Sequence, residues 1–163
     1  MSHGKIYQIG KRPISKDDYV TSEDFYDNHD SYADWVGNEM EDEERGECIA
    51  NLVKYDLHEL FDLDGDTLVY RGKPALKAFK QKWVDAIKEK AGAVTVDNVV
   101  QHTPRVTLCD ILNGTHKDCA DRFCIEEWSG RFAEPMAELI AFVSGNLRKG
   151  QRLYIGAVVD FHY

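Results

Sequence analysis

Two aspartates separated by one residue, Asp62 and Asp64, have a spacing that suits catalysis. They lie in the stretch LFDLDGDTLVYRGK, residues 60–73, and Gly65 follows directly. One carboxylate can attack a phosphorus atom while a group two residues further on donates and accepts the proton. The pair is therefore a candidate for phosphoryl transfer.

This stretch resembles the first motif of the haloacid dehalogenase-like phosphatases, which reads roughly FDLDGTLV. The resemblance covers about a dozen residues and implies that Asp62 is the nucleophile, that Asp64 is the general acid and base, and that Mg²⁺ bridges them. Asp66 stands at the threonine position, because one extra residue displaces Thr67. The surrounding sequence favours a polar loop between a helix and a strand, since LVKYDLHEL has helical periodicity where the motif needs a buried strand.

A second group with chemical potential is the set Cys109, His116, Cys119 and Cys124. Thiolates and imidazoles are the ligands of tetrahedral Zn²⁺, so these residues are a candidate metal site. Their spacing, C-x₆-H-x₂-C-x₄-C, contains no CxxC pair to form a knuckle. The alternative is that the cysteines pack as small hydrophobic side chains.

The charge of the chain is concentrated in residues 15–47, which hold 13 carboxylates and only two cations, Lys16 and Arg45. The whole chain has a net charge of −9, so the remainder is nearly balanced. Five carboxylates lie between Glu41 and Glu47; a helix of that length spans about 9 Å, over which duplex DNA presents about five phosphates. Across all of 15–47 the match fails, since about 48 Å of helix would face roughly 28 phosphates. These charge densities permit the acidic segment to imitate a short piece of duplex DNA. They exclude imitation of a long duplex, unless a dimer extends the acidic surface.

Aromatic residues are interleaved with these charges, whereas disordered acidic tails usually lack them. We therefore expect an ordered acidic surface that binds a basic protein, with carboxylates steering association and aromatic side chains anchoring it. The same aromatic residues would equally suit a core. The expected contact residues are Glu39, Glu41, Asp42, Glu43, Glu44, Glu47, Phe25, Tyr32 and Trp35.

A competing interpretation is that the acidic segment is neutralised within the chain. The predicted helix at 74–90 carries five lysines, and exposed ion pairs with them would contribute only about 0–1 kcal/mol each. If the charge is not cancelled, the sequence favours a non-enzymatic interaction module, such as an inhibitor of a nucleic-acid-binding protein or nuclease of the immunity or antirestriction type. The alternatives are a Mg²⁺-dependent phosphoryl-transfer enzyme and a zinc-stabilised binding domain.

The elements that must position these residues indicate the α+β class. We expect one domain over 1–163, with a mixed or mostly antiparallel sheet of about five strands, a central C-terminal strand, and helices packed on the sheet. In that strand, Leu153, Ile155, Ala157, Val159 and Phe161 are predicted to share one face. The predicted strands are 5–10, 67–71, 105–112, 122–128 and 151–163, and the predicted helices are 42–61, 74–90, 94–100 and 135–150.

Composition limits the class of protein further. Hydrophobic residues make up 43% and charged residues 30% of the 163 residues, which is typical of globular proteins. No apolar run is long enough to cross a bilayer, and no export signal is visible. We therefore expect a cytoplasmic protein whose four cysteines are reduced.

Overall fold

Three helices and six strands occur in the part of the chain that the computed structural model describes, residues 3–25, 33–102, 121–128 and 132–162. Two 3₁₀ turns, Lys16–Asp18 and Ser22–Phe25, follow the first strand, and a π-helical turn, Val53–Leu57, extends the first helix. The strands are β1 (His3–Gly10), β2 (Trp35–Glu39), β3 (Phe61–Asp64), β4 (Thr67–Tyr70), β5 (Arg122–Ile125) and β6 (Arg152–His162). The helices are α1 (Asp42–Leu52), α2 (Lys73–Gly92) and α3 (Met136–Asn146).

The six strands form one mixed sheet, and the C-terminal strand β6 is central, as predicted. On one side β6 pairs antiparallel with β1, which in turn pairs parallel with β5. On the other side β6 changes partner along its length: β4 pairs with its first residues and β2 with its last. Strand β3 forms a hairpin with β4 at the edge. The α+β class is confirmed, with one strand more than expected.

A bulge in β6 lies where its partner changes. Tyr7 of β1 is opposite Val158, and Ile9 is opposite Ile155, so β6 has one extra residue between these two pairs. Because side chains alternate along a strand, one extra residue moves every later side chain to the opposite face. The prediction that one face carries Leu153, Ile155, Ala157, Val159 and Phe161 is therefore wrong: the first two face one core, and the last three face the other.

Each face of the sheet has its own hydrophobic core. The larger one is formed where all three helices pack on the sheet. In the smaller one, Val20 and Phe25 from the acidic segment pack against Val159 and Phe161 of β6. Residues 15–25 are thus ordered, as predicted, because their apolar side chains cover the second face while their carboxylates point outward.

Several element boundaries differ from the predictions. The helix expected at 42–61 ends with the π-helical turn at Leu57, and Phe61 already belongs to β3. The polar loop expected between helix and strand at Asp62 and Asp64 is reduced to Gly65 and Asp66, and Gly65 has a φ of +64°, which favours glycine. Residues 96–100 form turns and not a helix. The strand predicted at 105–112 lies outside the described residues.

Helix α2 is buried over only part of its length. Leu76 and Phe79 are buried and Trp83 is partly buried, but Val84 is exposed. The lysines of α2 therefore lie on a helix whose C-terminal half is largely in contact with solvent.

Candidate interaction surface

All six carboxylates predicted to contact a partner are exposed. We call Glu39, Glu41, Asp42, Glu43, Glu44 and Glu47 the acidic surface. Acids in the first turn of α1 interact favourably with the helix dipole, so Asp42, Glu43 and Glu44 also have a structural reason to be there. Glu47 does not, and at i, i+4 from Glu43 it opposes helix formation by a few tenths of a kcal/mol.

The only cation within this stretch, Arg45, is turned into the protein and is 6% exposed. Its Nε donates to the carbonyl oxygen of Gly156 at 2.5 Å, and its Nη2 donates to that of Ile155. These carbonyls lie at the bulge, between the residues of β6 that pair with β4 and those that pair with β2. Nη2 also pairs with Asp66 at 2.9 Å. Arg45 thus completes the sheet and does not neutralise the acidic surface.

One carboxylate of the acidic surface has a cationic partner. The Nζ of Lys16 lies 2.7 Å from Oδ2 of Asp42, and both side chains are exposed. This hydrogen bond and the attraction between the charges lower the pKa of Asp42 and raise that of Lys16. The pair connects the first 3₁₀ turn to the start of α1.

Replacing Asp42 with asparagine is expected to leave the urea midpoint of unfolding unchanged between pH 5 and 8. The pair is exposed and solvent screens it, so its contribution to stability is small. Because the pKa of Asp42 is lowered on folding, this contribution is present at pH values above the pKa of Asp42 in the unfolded chain. It is lost as the pH falls below about 4. Urea titrations at pH 5 and pH 8 check this; a clear drop in the midpoint at pH 8 would show that Asp42 supports the fold.

The lysines of α2 do not neutralise the acidic surface. Lys82 pairs with Glu59, and Lys80 donates to the hydroxyl of Ser144. Within the described ranges, no ion pair joins α2 to a carboxylate of residues 15–47. The internal neutralisation considered from the sequence is therefore absent from this part of the chain.

The three predicted aromatic anchors have different surroundings. Trp35 is 48% exposed at the start of β2, where it is available to a partner. Phe25 is completely buried in the smaller core, so its expected role as a surface contact is wrong. Tyr32 lies outside the described residues. Of the aromatic anchors, Trp35 alone is described and exposed.

A pocket of about 370 Å³ adjoins Trp35, and no sequence pattern predicted it. It is lined by His3, Asp34, Trp35, Asp160 and His162. The carboxylate of Asp160 accepts from Lys5 Nζ at 2.6 Å and lies 3.1 Å from His3 Nδ1. Burial alone would raise the pKa of Asp160, but these two hydrogen bonds outweigh it and the pKa is lowered.

The sequence contains only a weak signal for this pocket. HGK in β1 and DFH in β6 each place two polar side chains at positions i and i+2, which share one face of a strand. Pairing of His3 with His162 and of Lys5 with Asp160 brings the two sets together across 155 or more residues of chain. That pairing cannot be read from either segment alone.

The candidate phosphoryl-transfer residues Asp62 and Asp64 lie on an exposed edge hairpin. Asp62 pairs with Arg71 at 2.9 Å and Asp64 with Arg152 at 2.7 Å. The phosphatase motif requires a buried parallel strand that ends at the first aspartate, whereas β3 is an antiparallel edge strand. The described geometry is that of two surface ion pairs.

The candidate zinc ligands are described only in part. Cys124 is buried in the smaller core, and Cys109, His116 and Cys119 lie outside the described residues. Cys48 is a thiol packed 3.4 Å from the sulfur of Met40, and partial burial raises its pKa. Within the described ranges, no group of three or more histidine, cysteine or carboxylate side chains is arranged to hold a metal ion.

No protein-family model matches this chain, and no curated protein or solved structure matches it either. None of the helices in the described ranges is both long enough and apolar enough to span a bilayer. The roles of the acidic surface and of the adjoining pocket are therefore inferred from the residues of this chain alone.

Proposed function

We propose that this protein is a non-enzymatic interaction module whose acidic surface binds a basic protein. The observation that carries the proposal is the inward direction of Arg45. It leaves five of the six carboxylates without a cationic partner in the described part of the chain, and Lys16 pairs only with Asp42. A dense group of unpaired, exposed carboxylates attracts cationic surfaces and accelerates their association.

The partner that we propose is a nucleic-acid-binding protein or a nuclease, which this chain would inhibit by covering its basic site. Such sites are positively charged because they bind phosphates, and the acidic surface has a local charge density close to that of a duplex. The acidic surface extends from the last residue of β2 over the first turns of α1, so it would cover the binding site of a few phosphates. We place this interaction in the cytoplasm, a proposal supported by the free thiol of Cys48.

Reversing the charges of Glu41, Asp42, Glu43 and Glu44 to lysine is expected to abolish capture of the basic partner. The four substitutions replace attraction with repulsion at the centre of the acidic surface. The measurement is affinity purification from the native cell with the wild-type chain and with the variant, at 50 and 300 mM salt. Wild-type capture should weaken at the higher salt concentration, because ions screen attraction between exposed charges.

A matched control separates this local effect from a general change in charge. Lysine substitutions at Asp64, Asp85, Glu89 and Asp97 change the net charge equally at exposed positions away from the acidic surface. This control should retain the partner, and circular dichroism should show both variants folded. Capture that is equal for the wild type and the charge-reversed variant would refute the proposal, as would equal loss in both variants.

A further inference from the structure

The pocket beside Trp35 lies at one end of the sheet, where three strands meet. His3 of β1 and Trp35 of β2 are the cross-strand neighbours of His162 of β6. The His3 and His162 rings meet edge to face with centroids 4.1 Å apart, and the Trp35 ring lies 5.0 Å from His162. Three aromatic rings thus form one row across the sheet.

Trp35 is held in place although it is half exposed. Its indole lies against the backbone of Gly37, where a Cβ atom would be 2.9 Å from the Cζ3 atom of Trp35. Only glycine leaves this space, so the ring lies against its own strand and packs, tilted, against the His162 ring. An exposed aromatic ring that is already immobilised loses little conformational entropy when a ligand binds to it.

The two carboxylates of the pocket differ in how they are satisfied. Asp160 is bound by Lys5 and His3, whereas Asp34 is 68% exposed and the basic side chain nearest to it in the described ranges is His162, whose Nδ1 lies 3.9 Å away. That distance is too long for a hydrogen bond. With neutral imidazoles, Asp34, Asp160 and Lys5 give the pocket a net charge of −1, and Asp34 still has acceptor capacity.

We propose that this pocket receives an arginine side chain of the basic partner, with the guanidinium stacked on Trp35 and paired with Asp34. This inference rests on the proposed function and names the group that anchors the partner. A guanidinium is planar and weakly hydrated, and it offers a fork of N–H donors, so it suits a site that combines an aromatic face with a carboxylate. The carboxylates of Asp34 and Asp160 would repel an anionic ligand.

The pocket borders β2, which leads into α1, and the bulge in β2 between Val36 and Glu39 turns the side chains of Trp35 and Glu39 to opposite faces of the sheet. Trp35 is the first residue of this strand and Glu39 is the last, so about 13 Å separate them. The start of α1 follows Glu39 after two residues. Helix α1 packs on the same face of the sheet as Trp35, so a single basic segment can place one arginine on Trp35 and further cations against the carboxylates of α1.

The test uses N-acetyl-arginine amide as the probe and the indole N–H signal of Trp35 in an NMR titration at pH 8, where histidine is ordinarily neutral. The Trp35→Phe variant assigns the signal. The arginine amide should shift it and saturate at about millimolar concentration. N-acetyl-citrulline amide, which has the same shape without the charge, should bind at least about tenfold more weakly, and Asp34→Asn should weaken arginine binding about fivefold. Trp128→Phe, which changes another half-exposed tryptophan, should leave binding of the arginine amide unchanged.

Two results would overturn the inference: equal shifts with the arginine and citrulline amides, or a saturable shift with inorganic phosphate in place of arginine. The probe experiment needs no partner, so it is independent of the capture experiment. If the charge-reversed variant loses the partner but the arginine amide does not shift the Trp35 signal, the arginine pocket is refuted and the proposed function is retained. If the arginine amide binds but the charge-reversed variant captures the partner as well as the wild type does, the proposed function is refuted and the arginine pocket is retained.

Discussion

Replacing Arg45 with methionine is expected to lower the free energy of unfolding by about 3 kcal/mol. The guanidinium donates to two buried carbonyl oxygens, those of Ile155 and Gly156, at a point where neither β4 nor β2 pairs with β6. A buried acceptor left without its donor costs about 1–3 kcal/mol, and this substitution leaves two. Methionine fills a similar volume, so the loss reports hydrogen bonding more than packing.

Urea unfolding followed by tryptophan fluorescence measures this change. With a slope of about 2 kcal/mol per molar urea, the midpoint should fall by about 1.5 M. Two further variants separate the contributions. Arg45→Lys should recover only part of the loss, because an ammonium cannot reach two carbonyls as a planar fork does. Asp66→Asn should cost less than about 1 kcal/mol, since Asp66 is half exposed. An Arg45→Met midpoint equal to that of the wild type would show that water satisfies the two carbonyls.

Replacing Gln8 with leucine is expected to have a similar or larger effect, about 3–4 kcal/mol. Gln8 is 0% exposed, and its amide uses its full hydrogen-bonding capacity. Its Oε1 accepts from the backbone N–H groups of Val20 and Ala157, and its Nε2 donates to the carbonyl of Asp18 and to Glu126. Leucine would leave both buried N–H groups unpaired. It would also separate the acidic segment from the bulge.

The Gln8→Glu variant gives a control with almost the same shape. The carboxylate keeps both acceptor bonds but faces Glu126 and the carbonyl of Asp18 without a donor, so burial and repulsion raise its pKa in the folded state. A carboxyl group with a raised folded pKa binds protons more tightly in the native protein, and stability therefore falls as the pH rises through that range. Urea midpoints should show a larger deficit relative to the wild type at pH 8 than at pH 5. A deficit that does not change with pH would show that the amide donors contribute little.

The sequence predicted the large elements of this fold and missed the irregular ones, for a physical reason. The apolar residues of β6 on both faces correctly identified a central strand, since only a strand covered on both sides has that pattern. The bulge was missed because alternation at 153, 155, 157, 159 and 161 reads as one uninterrupted face. Only the register with β1 reveals the extra residue, and register depends on a strand that lies more than 140 residues away.

The acidic surface was predicted residue by residue, because charge density is visible in the sequence and charged side chains are seldom buried. Arg45 is the exception. Nothing in its neighbours indicates that it fills a gap in the sheet, and this gap exists only because β6 changes partner. Helical spacing does place Arg45 with Ile49 and Leu52 on one face, and all three are buried. This helical spacing is the one feature of the sequence that indicates the inward direction of Arg45.

The pairing of β1 with β6 has a consequence for biosynthesis. A ribosome delivers β1 first and β6 last among the described strands, and the centre of the sheet needs both. Until β6 emerges, Ile6, Tyr7 and Ile9 have no antiparallel neighbour, and the nascent chain exposes an apolar strand edge. Contacts between such distant segments also slow folding. The negative charge of residues 15–47, synthesised directly after β1, would help to keep nascent chains apart during this interval.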